Sequence, residues 1–162
     1  MAETYTSKDI VEMAVQAKTK GVELYMALAR GSENYHVSNL FAELAKKEEH
    51  HKLELKRWLG DLSEGSQKEA YPGEGSLYLK ALVDENTFNC DKVLKQALET
   101  TISEEEALQA GITFEKDFML FLHDLKKHIS SKDEETINSL LKEETQHLSE
   151  MFQIKDKLAK PE

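Results

Sequence analysis

Apolar residues recur at helical spacing along four long stretches of the chain, and polar residues interrupt each stripe at chosen points. In the first stretch Ile10, Ala14, Lys18, Gly21, Tyr25 and Leu28 share one face. In the second the face runs Leu40, Phe41, Leu44, Ala45, then Leu55, Trp58 and Leu59, with Glu48 and His51 where apolar residues would keep the period. The third carries Leu108, Gly111, Glu115, Phe118, Leu122 and Leu125. The fourth carries Ile137, Leu140, Leu141, Leu148, Met151 and Ile154, interrupted by Glu144 and His147. Thr6 and Asp9 have capping-box spacing, so the first helix is expected to begin at Thr6 or Ser7 and to stop near Gly31. The second is expected from about Glu33 to Leu59, with Gly60 at C′. Ser103 and Glu106 open the third, which reaches about Ile129, and Ser131 with Glu134 caps the fourth, which runs almost to the last residue.

Residues 60–102 form a long connection. It opens as a loop over Gly60–Gly75, including Tyr71-Pro72-Gly73, with short helices expected near Leu77–Val83 and Lys92–Thr100. The expectation is therefore one all-α domain over 1–162, with a hairpin at about 7–59, a crossover at 60–102 and a second hairpin at about 103–160. Two tight antiparallel hairpins joined by one long crossover describe the ferritin-like four-helix bundle. The hairpins also read as copies of one unit. An offset of 96 carries Glu48 and His51 onto Glu144 and His147. An offset of 97 carries Ala14, Lys18, Tyr25 and Leu28 onto Gly111, Glu115, Leu122 and Leu125. Each hairpin thus offers one polar residue on its first helix and a Glu-x-x-His pair on its second.

Residues three apart share a helix face, so each Glu-x-x-His pair can present a carboxylate and an imidazole to one metal ion. Buried carboxylates cost several kcal/mol unless paired or metal-bound, roughly speaking. With six His in a Glu-rich chain, about one such pair is expected by accident, and Glu33/His36 at the ragged start of the second helix fits that description. The pairs 48/51 and 144/147 differ, because both lie on core stripes and match the repeat. His50, His123 and His128 read as surface residues, Tyr25 as a core tyrosine bonded to a carboxylate, and Cys90 as a small buried hydrophobe. Glu104–Glu106 suits the dipole at the start of the third helix.

Composition narrows the function classes. A net charge of −10 argues against nucleic acid and anionic membrane surfaces as partners. The single cysteine, Cys90, excludes an internal disulfide and any Cys-x-x-Cys metal site. No stretch approaches the roughly 20 apolar residues of a membrane span, and the start, Met1 to Asp9, is polar, so a cytoplasmic location is expected.

The stretches Leu44 to His51 (LAKKEEHH), Glu104 to Leu122 (EEEALQAGITFEKDFMLFL) and Leu141 to His147 (LKEETQH) resemble the rubrerythrin branch of the ferritin-like di-iron carboxylate proteins. The likeness covers nearly the whole chain, including Tyr78-Leu79-Lys80-Ala81-Leu82 of the crossover. It implies that Glu48 and Glu144 bridge two irons, that His51 and His147 are terminal ligands, and that Glu115 completes the second iron's set. It also implies redox work on O₂ or peroxide, an external electron donor, and a homodimer. Three positions depart from the pattern. Lys18 stands seven residues before Tyr25, where the family has a Glu; Phe118 replaces a second helix-three Glu; Leu122 replaces a tyrosine.

Lys18 changes the charge balance. Glu48, Glu115, Glu144 and a lysine cation sum to −2, which balances one divalent ion rather than two. An ammonium has no lone pair to donate. Three outcomes are open: an ion pair with Glu48 or Glu144, a lysine deprotonated beside two irons, or a side chain that snorkels outward. A metal-binding protein with redox activity is the leading expectation, iron first, although carboxylate and imidazole ligands suit Mn or Zn as well. The alternative is a non-catalytic bundle, serving as iron carrier, sensor or interaction module, whose centre is an ion-pair network around Lys18.

Overall fold

A computed structural model of the chain describes residues 5–62, 69–71, 91–127, 129 and 131–160. The elements are β1 (Tyr5–Thr6), α1 (Ser7–Gly31), α2 (Tyr35–Asp61), β2 (Glu69–Tyr71), α3 (Asp91–Glu99), α4 (Glu104–Lys126) and α5 (Ser131–Ala159). Residues 32–34 turn α1 into α2, and α5 begins five residues after α4 ends. Each pair packs side by side as a hairpin, α1 also meets α4, and α2 also meets α5. The four long helices thereby close an all-α bundle around one core. The expected short helix near Leu77–Val83, Pro72-Gly73, Cys90 and His128 lie outside the described residues.

Local sequence accounts for the helix boundaries. Thr6 is the N-cap of α1, and both halves of its box form: Asp9 N–H donates to Thr6 Oγ1 at 3.2 Å and Thr6 N–H to Asp9 Oδ2 at 2.8 Å. Asn34 caps α2 by accepting from the His36 and Val37 N–H groups. Ser103 accepts from Glu106 N–H at 3.1 Å, and three glutamates in the first turn of α4 face its dipole. Two ends differ from expectation. The second helix runs through Gly60 to Asp61, with Leu62 N–H closing on Trp58 O at 3.1 Å, so Gly60 does not act as a left-handed stop. The third helix ends at Lys126 rather than near Ile129. Ser131 is the first helical residue of α5.

The expected stripes face inward. Ile10, Ala14, Tyr25 and Leu28 of α1 are buried, as are Phe41, Leu44, Leu55 and Trp58 of α2. They meet Leu108, Phe118, Leu122 and Leu125 of α4 and Ile137, Leu140 and Met151 of α5. Burial of this kind contributes about 25 cal/mol per Å² of apolar surface, which favours the bundle over any open hairpin. Across the seam between α2 and α5, Trp58 Nε1 donates to Asp133 Oδ1 at 3.0 Å. A feature absent from the sequence reading is the antiparallel pairing of Tyr5 with Tyr71 and Thr6 with Glu69, which fastens the start of α1 to the crossover.

Candidate metal centre

Midway along the bundle the apolar core gives way to six buried polar side chains. Lys18, Glu48, His51, Glu115 and Glu144 are fully buried, and His147 is 2% exposed. All four long helices contribute: Lys18 from α1, Glu48 and His51 from α2, Glu115 from α4, Glu144 and His147 from α5. One donor atom each from Glu48, His51, Glu144 and His147 lies within 4.8 Å of the others. The helical three-residue step brings each His back over its own Glu, and the repeat brings the two pairs face to face. The imidazole rings of His51 and His147 stack 5.3 Å apart at 20°.

Lys18 points inward and pairs with both bridging candidates. Its Nζ lies 2.6 Å from Glu48 Oε2 and donates to Glu144 Oε1. The same nitrogen stands 3.9 Å above the centroid of Phe118. Two of the three departures from the family pattern therefore touch: the lysine at the helix-one position rests on the phenylalanine at the helix-three position, a cation–π arrangement.

The carboxylate of Glu144 divides the centre. Its Oε1 faces Lys18 and, at 3.2 Å, His51 Nδ1; its Oε2 lies 3.1 Å from His147 Nδ1. His147 Nδ1 also lies 3.4 Å from Glu48 Oε1 and 3.6 Å from Glu115 Oε1. Ligands about 2.1 Å from a common ion sit about 3–4 Å from one another, so this second half has the spacing of a donor set. Tyr25 donates to Glu115 Oε1 at 2.6 Å, the carboxylate bond expected of it. Gly111 leaves room for the contact: a Cβ there would meet Met151 Sδ at 2.6 Å and the Tyr25 ring at 3.4 Å.

The charges explain one another. Burial alone would lower the Lys18 ammonium, but Glu144, then Glu48 and Glu115, outweigh it and hold the group above its ordinary value. Burial would raise Glu144, yet Lys18 and the two imidazoles hold it well below the usual carboxylate range. Glu48 is lowered against burial by Lys18 in the same way. Glu115 goes the other way: burial, followed by the neighbouring Glu144 and Glu48 charges, pushes it well above the range. His51 and His147 are pulled down by burial but carried up to about 10 and about 11 by the surrounding carboxylates.

Glu48 Oε1 and Glu115 Oε2 are buried without a hydrogen-bond partner, whereas His51 Nδ1 meets Glu144 Oε1 as an ion-pair contact at 3.2 Å. Orphaned polar atoms of this kind cost roughly 1–3 kcal/mol each. Carboxylate oxygens left unsatisfied beside the His147 imidazole fit a divalent ion. The residues set aside in sequence lie apart from this cluster: His50 is exposed and pairs with Glu54 at 3.3 Å, and His123 is exposed. Glu143, which carried no sequence signal beyond its place beside Glu144, contacts His51 Nε2.

An all-α bundle of two hairpins, enclosing carboxylates and imidazoles from all four long helices, defines a carboxylate-bundle protein of the ferritin-like kind. Residues 9–154 match the rubrerythrin family model, and the chain belongs to the rubrerythrin family. Its fold is similar to that of a Thermotoga maritima protein described as a ferritin-like diiron-carboxylate protein. The two share 18% identity, the match covers 96% of this chain and 98% of the other, and the TM-score is 0.73. No curated protein sequence matches. No helix among the described residues is long and apolar enough to cross a membrane.

Proposed function

We propose that this protein is a metal-binding member of its family whose centre takes one iron ion, held by His147, Glu115, Glu144 and Glu48. The observation that carries the reading is the division of Glu144, one oxygen turned to Lys18 and the other to His147. The ammonium occupies the half that a second ion would need, and repels a cation placed there. His51 then braces Glu144 rather than ligating. A bound iron would supply one-electron chemistry toward O₂ or peroxide. The protein's own part is to bind and orient: Tyr25 fixes Glu115, His51 and Lys18 fix Glu144, and the surrounding core excludes water. Electrons would come from an external donor, and a cytoplasmic homodimer is the assembly in keeping with this role. Manganese or zinc would suit the same donors.

A second reading has its own support. Lys18 together with the raised His51 and His147 imidazoles compensates Glu48 and Glu144, so the cluster is also a self-sufficient ion-pair network. On that reading the chain is a non-catalytic bundle, an iron carrier, sensor or interaction module. Elemental analysis after anaerobic Fe(II) loading and desalting separates the possibilities. One iron per chain, rising to two in Lys18→Glu, is expected. No iron in the native protein with two in Lys18→Glu supports the network, and two in the native protein would show that Lys18 yields.

A further inference from the structure

An open pocket of about 220 Å³ lies between α2 and α5, walled by Glu43, Lys46, Lys47, His50, His51 and Glu143. It reaches one residue of the buried centre, His51. There the outer edge of the ring, Nε2, contacts the Glu143 carboxylate, while Nδ1 on the inner edge faces Glu144 Oε1 at 3.2 Å and Glu48 Oε1 at 3.8 Å. Glu143 is 41% exposed. A half-solvated carboxylate therefore grips a fully buried imidazole from outside.

The geometry points to Glu143 as a positioning residue. By holding Nε2 it commits His51 to presenting Nδ1 inward, and His51 in turn sets the rotation of Glu144 that aims Oε2 at His147. An outer carboxylate on the far nitrogen of an imidazole is a general way to fix ring orientation. The arrangement is one-sided. The 96-residue offset carries Glu143 onto Lys47, which faces solvent and pairs with Glu150 at 3.2 Å. The second imidazole is thus denied the equivalent grip, and the two halves of the centre differ in their support as well as in Lys18. The inference rests on the one-ion reading for its effect on metal, but the grip itself exists without metal.

The test uses the full chain and Co(II) as the probe. Glu143→Ala is expected to weaken Co(II) binding by about 3- to 10-fold, less than the roughly 10- to 100-fold seen when a ligand's own partner is lost, because His51 stands between Glu143 and the ligand Glu144. Glu143→Gln, which keeps an acceptor for Nε2–H, should lose less. Formate fits the space that Glu143→Ala leaves in a pocket open to solvent, and should restore affinity in that variant but not in the native protein. A merely structural role for Glu143 would not be restored by a free carboxylate. In the metal-free chain, the ¹⁵N resonance of His51 Nε2 should move in Glu143→Ala and return with formate. Native Co(II) affinity and an unmoved His51 resonance in Glu143→Ala would overturn the inference. Failure of the native protein to bind Co(II) would count against the proposed function, and the ¹⁵N resonance would then decide the role of Glu143 alone.

Discussion

At Lys18 the chain carries a cation where its own repeat carries a carboxylate, Glu115, and the structure gives that exchange a use. The ammonium spans Glu48 and Glu144, two buried anions whose only other cationic partners among the described residues are the His51 and His147 imidazoles. Removing one partner from such a pair costs roughly 3–5 kcal/mol, because a bare charge is left inside. Lys18→Met should therefore lower the urea stability of chelator-treated protein by about that amount. Added Zn(II) should recover more of it than in the native chain; unchanged stability would mean that the pair is not structural. Glu115 and Glu144 should part company when each is replaced by glutamine. Glu115 is held well above the carboxylate range, so the neutral amide imitates its folded state and keeps an acceptor for Tyr25. Glu144 is held well below it, and Glu144→Gln should be the costlier change at neutral pH in the same denaturation series. The inward polar set was legible because Glu48, His51, Glu115, Glu144 and His147 sit on apolar stripes, where only a partner or ligand makes them tolerable. Which of three fates Lys18 would take was not legible. That depends on the separation of Glu48 and Glu144 across two hairpins, which no local pattern encodes.

The helices were legible to within a turn because their signals are local. The Thr6–Asp9 box, the Ser103 cap and the inward stripes each act over a few residues. Gly60 misled for a related reason: glycine is only a permissive stop, and Leu62 N–H can close on Trp58 O with the helix continuing to Asp61. The pairing of β1 with β2 was invisible, since two residues carry no alternating pattern. Helix contact also explains Gly21, which falls on the α1 stripe among larger side chains. A Cβ there would lie 2.8 Å from Phe114 Cε1 and 3.3 Å from Glu48 Oε2. The Phe114 ring is buried and set edge-on to Tyr25, with centroids 5.9 Å apart, so withdrawing it means repacking the core around it. Gly21→Ala is expected to destabilise the bundle by about 1–3 kcal/mol despite alanine's better helix propensity. Thermal denaturation checks it, and a gain in stability would show that α1 and α4 can separate freely.

For the molecule as a whole, the buried charges set a pH window for the metal-free state. Glu48 and Glu144 are lowered from 4.5, so their contribution is complete above that value and is lost as pH falls through their folded values. His51 and His147 are raised from 6.5 to about 10 and about 11, so theirs is complete below 6.5 and is lost as pH rises through those higher values. Lys18 is raised from 10.5 and adds to the alkaline loss. Glu115, raised from 4.5, contributes most when protonated and declines with rising pH. Urea midpoints of chelator-treated protein should peak between pH 4.5 and 6.5 and decline on both sides. A flat profile from neutral to alkaline buffers would contradict the paired imidazoles.

Trp58, the chain's single tryptophan, lies on α2 seven residues beyond His51 and bonds across the seam to Asp133. Seven residues are about 10.5 Å of helix rise and almost two full turns, so the indole stands near the centre and on nearly the same face. The protein thereby carries its own fluorophore. A paramagnetic ion arriving at His147 should dim its emission, whereas a parting of the two hairpins should shift the emission to longer wavelength as water reaches the ring. Occupancy and seam opening become separable in one unlabelled sample, by intensity for the first and by colour for the second.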